Sequence, residues 1–195
     1  MNNHLACLLL VLVPALGFQV RAFASETPEQ VAEAYINAIR TDGLAAVTDY
    51  MHPDELERFR GMLLPVLTGD SAADDPLRKA FFGEAATLAS VQALDAKAFM
   101  QGFMGFAQNQ MKAMDVSIGQ SQTLGSVREG DVVHLVTRNT AGAGPVQLTQ
   151  MEVISLKPYQ GTWRLLLSGK MEGLAQALSA QAAASRPAKP DEKRR

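Results

Sequence analysis

The fold of this chain is decided by residues 129–168, which read EGDVVHLVTRNTAGAGPVQLTQMEVISLKPYQGTWRLLLS. Apolar and polar residues alternate here, as in β-strands with one buried face. Together with the alternating residues just before it, the pattern predicts four strands over residues 116–126, 132–139, 146–157 and 162–168. Glycine-containing separators typical of hairpins lie at residues 129–131, 140–145 and 160–161. Strands joined by such short turns pair antiparallel, so we expect a meander.

The residues before this sheet have helical periodicity. Thr27-Pro28-Glu29-Gln30 predicts the start of a first helix, because an N-cap hydroxyl is followed by proline at the first helical position and by glutamine. Gly43 predicts the end of that helix. The other predicted helices are a short one over residues 44–51, one that begins at His52, one capped by Asp95 over residues 96–114, and a closing one over residues 171–184.

The order of these elements predicts the fold class. Residues 69–76, GDSAADDP, predict an acidic loop, followed by short helical pieces up to residue 94. Helices followed by a meander form an α+β protein. We expect N-terminal helices packed on a curved four-stranded antiparallel meander, cone-like in shape, with a C-terminal helical extension. Residues 25–185 are long enough to form this as a single domain.

Both ends of the chain differ in composition from the predicted domain. Residues 5–18 form an apolar run, and Ala22-Phe23-Ala24 is a small-x-small triplet, which together predict a signal peptide over residues 1–24. The chain is therefore expected to be exported to the periplasm or beyond the cell. Residues 186–195, RPAKPDEKRR, contain no large apolar side chain and predict a disordered basic tail.

Composition argues against several functional classes. The only cysteine, Cys7, lies in the predicted signal peptide, so the exported chain would have no disulfide or cysteine nucleophile. Without Arg21 the remaining chain has 17 basic and 20 acidic side chains, a net charge of −3, which does not favour nucleic acid as a partner. The sequence contains no G-x-S-x-G, P-loop, dinucleotide-binding or H-E-x-x-H motif. We expect no cofactor.

A methionine-rich stretch, MQGFMGFAQNQMKAM over residues 100–114, lies on the long predicted helix. Met100, Met104, Met111 and Met114 fall on one face of that helix. Thioethers bind Cu(I), but no histidine or cysteine lies beside this stripe as a further ligand. We interpret the stripe as core, with a plastic apolar binding wall as the alternative, and we expect no metal site.

Three stretches resemble the nuclear-transport-factor-2-like superfamily, which includes ketosteroid isomerase and the polyketide-cyclase-like proteins. They are TPEQVAEAYINAIRTDGLAAVTDYMHPDEL from residue 27, GDVVHLVTRNT from residue 130 and YQGTWRLLL from residue 159. The resemblance implies a cone around a cavity and, in the enzymes, a carboxylate base with a tyrosine or protonated acid that holds an oxyanion. The chain departs from the superfamily by a long insert between His52 and Val116 and by an extension after Ser168.

The candidate pocket residues are Tyr35, Tyr50, His134, Glu152 and Trp163. A packed core or a surface position would explain each of them as well, so no catalytic residue is assigned. His52 is interpreted as a structural cap of its helix. The side of the last strand that carries Trp163 and Leu165 is predicted to face the first helix.

These observations favour an exported, non-catalytic module that binds a small ligand or another protein. The alternative is an isomerase- or cyclase-like enzyme that uses a carboxylate and a tyrosine in the cavity; a buried carboxylate within reach of a pocket tyrosine would favour it. A third class is a structural partner in a cell-envelope assembly. The expected partners are an apolar small molecule or a cell-envelope protein, and a second copy bound through the sheet face.

Overall fold

The computed structural model of the chain describes residues 26–68 and 74–185. The predicted signal peptide (1–24), the first part of the predicted acidic loop (69–73) and the predicted basic tail (186–195) lie outside the described residues. In the described ranges, no helix has both the length and the apolar character needed to cross a bilayer.

The described chain has the predicted α+β fold, with helices first, then an antiparallel sheet and a final helix. The helices before the sheet are α1 (Pro28–Asp42), a 3₁₀ helix (Leu44–Asp49), α2 (Pro53–Leu67), α3 (Asp74–Phe82), α4 (Leu88–Gln92) and α5 (Ala96–Ala113). The strands are β1 (Val116–Glu129), β2 (Val132–Ala143), β3 (Val146–Tyr159) and β4 (Thr162–Leu165), and they are followed by α6 (Gly169–Ser185).

The helix starts predicted from local sequence are confirmed. The Thr27 side chain accepts a hydrogen bond from the Gln30 amide at 3.2 Å, and the Gln30 side chain accepts one from the Thr27 amide at 2.9 Å. Asp95 Oδ1 accepts a hydrogen bond from the Ala98 amide at 2.7 Å and begins α5. Each cap satisfies a backbone N–H that has no partner inside its own helix.

Other boundaries differ from the prediction. Residues 74–76, predicted as loop, belong to α3. Acidic residues and proline are as typical of a first helical turn as of a loop, which explains the error. β2 continues through Ala143, so only Gly144 and Pro145 connect it to β3. β4 ends at Leu165 instead of residue 168, because the chain leaves the sheet to begin α6.

The strand order is β1-β2-β3-β4, and each strand pairs antiparallel with the next, as expected for a meander. β3 is much longer than β4, so the two pair only over residues 156–159 of β3. The other side of β4 is held by the chain after the 3₁₀ helix. There the Leu165 amide donates to the Tyr50 carbonyl at 2.8 Å, and the His52 amide donates to the Leu165 carbonyl at 2.9 Å.

One face of the sheet, called the inner face below, packs against the helices. It carries the buried Val133, Leu135 and Thr137 of β2 and Leu156 of β3. These apolar side chains join one cluster with Phe59 of α2 and with Phe99, Met100 and Phe103 of α5. Leu165 and Trp163 are on the same side of β4, and β4 contacts α1, which confirms their predicted orientation.

Candidate functional site

A cavity of about 780 Å³ lies between the helices and the sheet. Its walls come from α1, the 3₁₀ helix, α5, β3 and the start of α6. Most of the lining is apolar, and it includes Ile39, Val47 and Phe103. This volume is within the range of small-molecule sites in proteins.

Methionine is the dominant side chain of this cavity. Seven of the nine methionines in the chain line it: Met51, Met100, Met104, Met111, Met114, Met151 and Met171. Met100 is fully buried and Met104 packs partly buried against the core, whereas Met114 is 61% exposed. All four methionines of the predicted stripe on α5 therefore line the cavity, and Met100 and Met104 also pack in the core.

Tyr35 is the polar group of α1 that lines the cavity. Its ring contacts that of Tyr50 edge-on, with centroids 6.1 Å apart. Its hydroxyl has no hydrogen-bond partner among the described residues. Burial, together with the nearby negative charge of Glu152, raises the pKa of Tyr35 to about 12. Tyr35 is thus a neutral phenol at neutral pH, with a free donor and acceptor.

Glu152 lies on the inner face of β3 and is held by three donors. Asn139 Nδ2 donates to Oε2 at 2.8 Å, Gln150 Nε2 donates to Oε1 at 3.2 Å, and the Lys170 ammonium forms an ion pair with Oε1. Asn139 in turn accepts a hydrogen bond from Ser121 on β1. This network ties the start of α6 to the sheet at the cavity wall.

Of the five candidate pocket residues, Tyr35 and Glu152 line the cavity, and Tyr50, His134 and Trp163 do not. His134 is on the outer face of the sheet, where Nδ1 is 2.8 Å from Ser155 Oγ and Nε2 is 3.3 Å from Glu129 Oε2. Val133 and Leu135 on either side of His134 are buried, and side chains alternate along a strand, so His134 must lie on the outer face.

Tyr50 and Trp163 support the structure beside the cavity. The Trp163 ring is partly buried against the core, and the Arg128 guanidinium lies 5.6 Å from its centroid. Tyr50 bonds to β4 through its backbone and packs on Tyr35. Neither presents a polar atom to the cavity lining.

His52 is the N-cap of α2, as predicted: Nδ1 accepts a hydrogen bond from the Asp54 amide at 3.2 Å. Its ring also packs edge-on against Tyr159, 4.9 Å between centroids. In the described ranges, no group of three or more histidine, cysteine, aspartate or glutamate residues is placed to hold a metal ion.

Part of the cavity wall was not recognised in the sequence. Lys170, Met171 and Leu174 of α6, and Met151 of β3, join the stripe of α5 only in the folded chain. The high number of methionines is the one sequence feature that could have pointed to these wall residues, because most methionines of the chain line this cavity.

Comparisons with protein-family models, curated proteins and solved structures find no significant match to this chain.

Proposed function

We propose that this chain is an exported, non-catalytic module that binds a small, largely apolar molecule in the cavity. The observation that carries the proposal is the concentration of methionines around an open volume of about 780 Å³. A core formed for stability alone is filled to crystal-like density, whereas this volume leaves room for a ligand.

The lining suggests the kind of ligand. Methionine side chains are flexible and polarizable, so they adapt to apolar molecules of different outline. Tyr35 offers one neutral hydroxyl without a protein partner, which suits a single carbonyl or hydroxyl oxygen on the ligand. We therefore propose an apolar molecule with at least one such oxygen.

A binding role is favoured over an isomerase- or cyclase-like role by the state of Glu152. A general base needs a free oxygen directed at the proton it removes. Both oxygens of Glu152 accept hydrogen bonds, one of them is also paired with Lys170, and none of these bonds involves Tyr35. The enzyme remains the second candidate, and its base would be Oε2, which accepts one hydrogen bond, from Asn139, among the described residues.

The first test is native mass spectrometry of the protein purified from its own compartment. We expect a bound small molecule that is released on denaturation. The intact mass of the same sample tests export, because cleavage of the predicted signal peptide would leave Ser25 as the first residue. Retention of Met1 in the exported protein would contradict that prediction.

The second test is titration with a neutral apolar dye such as Nile red. Ala107 lines the cavity, whereas Ala113 on the same helix is exposed and does not. Ala107→Phe should weaken dye binding about tenfold or more by occupying the cavity, and Ala113→Phe should leave it unchanged. Equal binding by the two variants would show that the dye does not enter this cavity.

A further inference from the structure

The outward edge of β3 has no partner strand over most of its length. β4 pairs with residues 156–159, and the Leu166 amide adds a bond to the Ser155 carbonyl. Over residues 146–154, no described segment makes backbone hydrogen bonds to the side of β3 that faces away from β2. Nine residues of strand extend about 30 Å, so this unpaired edge is long.

Apart from the ion pair between Lys170 of α6 and Glu152, this edge also lacks the features that usually prevent strand association. Protected edges carry lysine, proline or a bulge, or are covered by other elements. Residues 146–154 read VQLTQMEVI, with Glu152 as the single charged residue, and β3 pairs with β2 in unbroken register. Val146, Leu148, Met151 and Val153 are each more than half exposed.

The other exposed strand edge differs. β1 shows two register shifts against β2, between Ile118 and Ser121 and between Thr123 and Gly125, and it contacts both α1 and α5. Such bulges bend an edge strand away from regular pairing. The edge of β4 is closed by the bonds to Tyr50 and His52. In the described part of the chain, the free edge suited to regular pairing is therefore that of β3.

We propose that two copies of this chain associate through residues 146–154 of β3, antiparallel about a two-fold axis, to form one continuous sheet. Full overlap of the two unpaired segments places Gln150 opposite Gln150 of the second copy. A two-fold axis perpendicular to the sheet keeps both inner faces on the same side, with Leu148 opposite Glu152 and Val146 opposite Ile154. The association is isologous and closed, because the bulged β1 edge does not continue it.

A second copy fits this edge for reasons of charge and shape. The one charged residue, Glu152, would face Leu148 and is already paired with Lys170, so no like charges oppose each other. Each copy offers unpaired main-chain groups and exposed apolar side chains along this edge, and these are complementary to the same groups of the second copy. Residues 151–154 of this edge also line the cavity, so the strand of the second copy would lie beside it, and the proposal requires no bound ligand. It also differs from the homodimer through the sheet face expected from the sequence, because it uses the edge.

The test is sedimentation velocity of the purified chain from about 1 to 100 μM, with variants at Gln150. This side chain is exposed and bonds only to Glu152 among the described residues, so its substitution leaves the core intact. Gln150→Lys alone and Gln150→Glu alone each place like charges opposite one another at the axis. Each should weaken the dimer at least about fivefold, and an equimolar mixture of the two should recover dimers.

Val127→Lys is the control. Val127 is exposed on the outer face of the same sheet, away from the β3 edge, so this variant should dimerise like the unmodified chain. A monomer at 100 μM would overturn the proposal, and the edge would then be open to an extended segment of a different protein. Dimers that persist in both Gln150 variants would also overturn the proposal and would indicate association elsewhere. Loss of dimers in Val127→Lys would overturn it too and would indicate association through the sheet face.

Discussion

At the scale of single residues, local signals were predicted well, whereas positions that depend on tertiary contacts were mostly not, with the orientation of Trp163 and Leu165 as the exception. Thr27, His52 and Asp95 cap helices as expected, because a cap interacts with backbone groups two or three positions away. Whether the side chain of Tyr35 on α1 or of His134 on β2 faces the cavity depends on how the helices pack on the sheet, which involves residues distant in sequence. The sequence left both open, and of the two only Tyr35 lines the cavity.

Tyr35 should make stability depend on alkaline pH. Its pKa is about 12 in the folded protein against 10.0 for an ordinary tyrosine, so the folded state holds the proton more tightly. The resulting stability is complete below pH 10 and is lost as the pH rises toward 12. Between pH 9 and 12, the free energy of unfolding should fall by up to about 2–3 kcal/mol more in the unmodified protein than in Tyr35→Phe. Urea denaturation at both pH values measures this, and equal losses would contradict it.

Met104 tests the core part of the methionine stripe. Met104→Gln should lower the free energy of unfolding by about 1–3 kcal/mol, because it places an amide among apolar side chains. Met104→Leu keeps the apolar character and should cost less than about 1.5 kcal/mol. Thermal or urea denaturation compares the two variants. If Gln were tolerated as well as Leu, residue 104 would face solvent instead of the core.

At the scale of elements, sequence period and turn chemistry identified most helices and all four strands, but not their ends. The end of β4 depends on where α6 packs, and α6 is held mainly by α2, through contacts such as the 2.7 Å ion pair between Arg58 and Glu172. The beginning of α3 depends on α5, against which it packs. These partners are remote in sequence, so periodicity alone does not place the boundaries.

Two glycines of α5 should respond in opposite ways to the same substitution. A methyl group at Gly102 would lie 2.5 Å from ring carbons of Phe82 on α3, whereas one at Gly105 would meet nothing within 4 Å. Gly105→Ala should therefore stabilise the protein by about 0.5–1 kcal/mol through helix propensity. Gly102→Ala should destabilise it by about 1–3 kcal/mol, because α3 must move. Chemical denaturation of both variants checks the prediction; stabilisation by both would mean that Phe82 moves without cost.

At the scale of the whole molecule, the α+β class followed from the sequence pattern, whereas a cavity was expected only from the resemblance and its lining was mostly not predicted. Alternation in residues 129–168 indicates a meander with one apolar face, and helices before such a meander indicate an α+β protein. The open volume arises from the distances of α1, α5 and α6 from the sheet. These distances depend on tertiary packing, so no single segment of the sequence predicts them. The methionine stripe on α5 was interpreted as core with an apolar binding wall as the alternative, but the sequence did not show that methionines from other elements join it around one cavity.

Hydrogen exchange should show the asymmetry of the sheet. β2 is bonded on both sides and carries the fully buried Leu135 and Thr137, so its amides should exchange slowest. In dilute monomer, the outward amides of residues 146–154 should exchange fast, because they have no backbone partner in the described chain. Mass-spectrometric exchange of overlapping peptides resolves the two strands. Protection of residues 146–154 equal to that of β2 in a monomer would mean that another part of the chain covers the edge.

The position of α6 also affects how the protein is made. This helix supplies Lys170, Met171 and Leu174 to the cavity, and it follows every strand in the chain. Because synthesis proceeds from the N-terminus, the apolar surfaces of α5 and β3 emerge before the helix that completes their enclosure. During that interval the nascent chain exposes apolar surface of the kind that makes folding intermediates prone to aggregate. The cavity is therefore completed only at the end of translation and folding, when α6 packs against the rest of the chain.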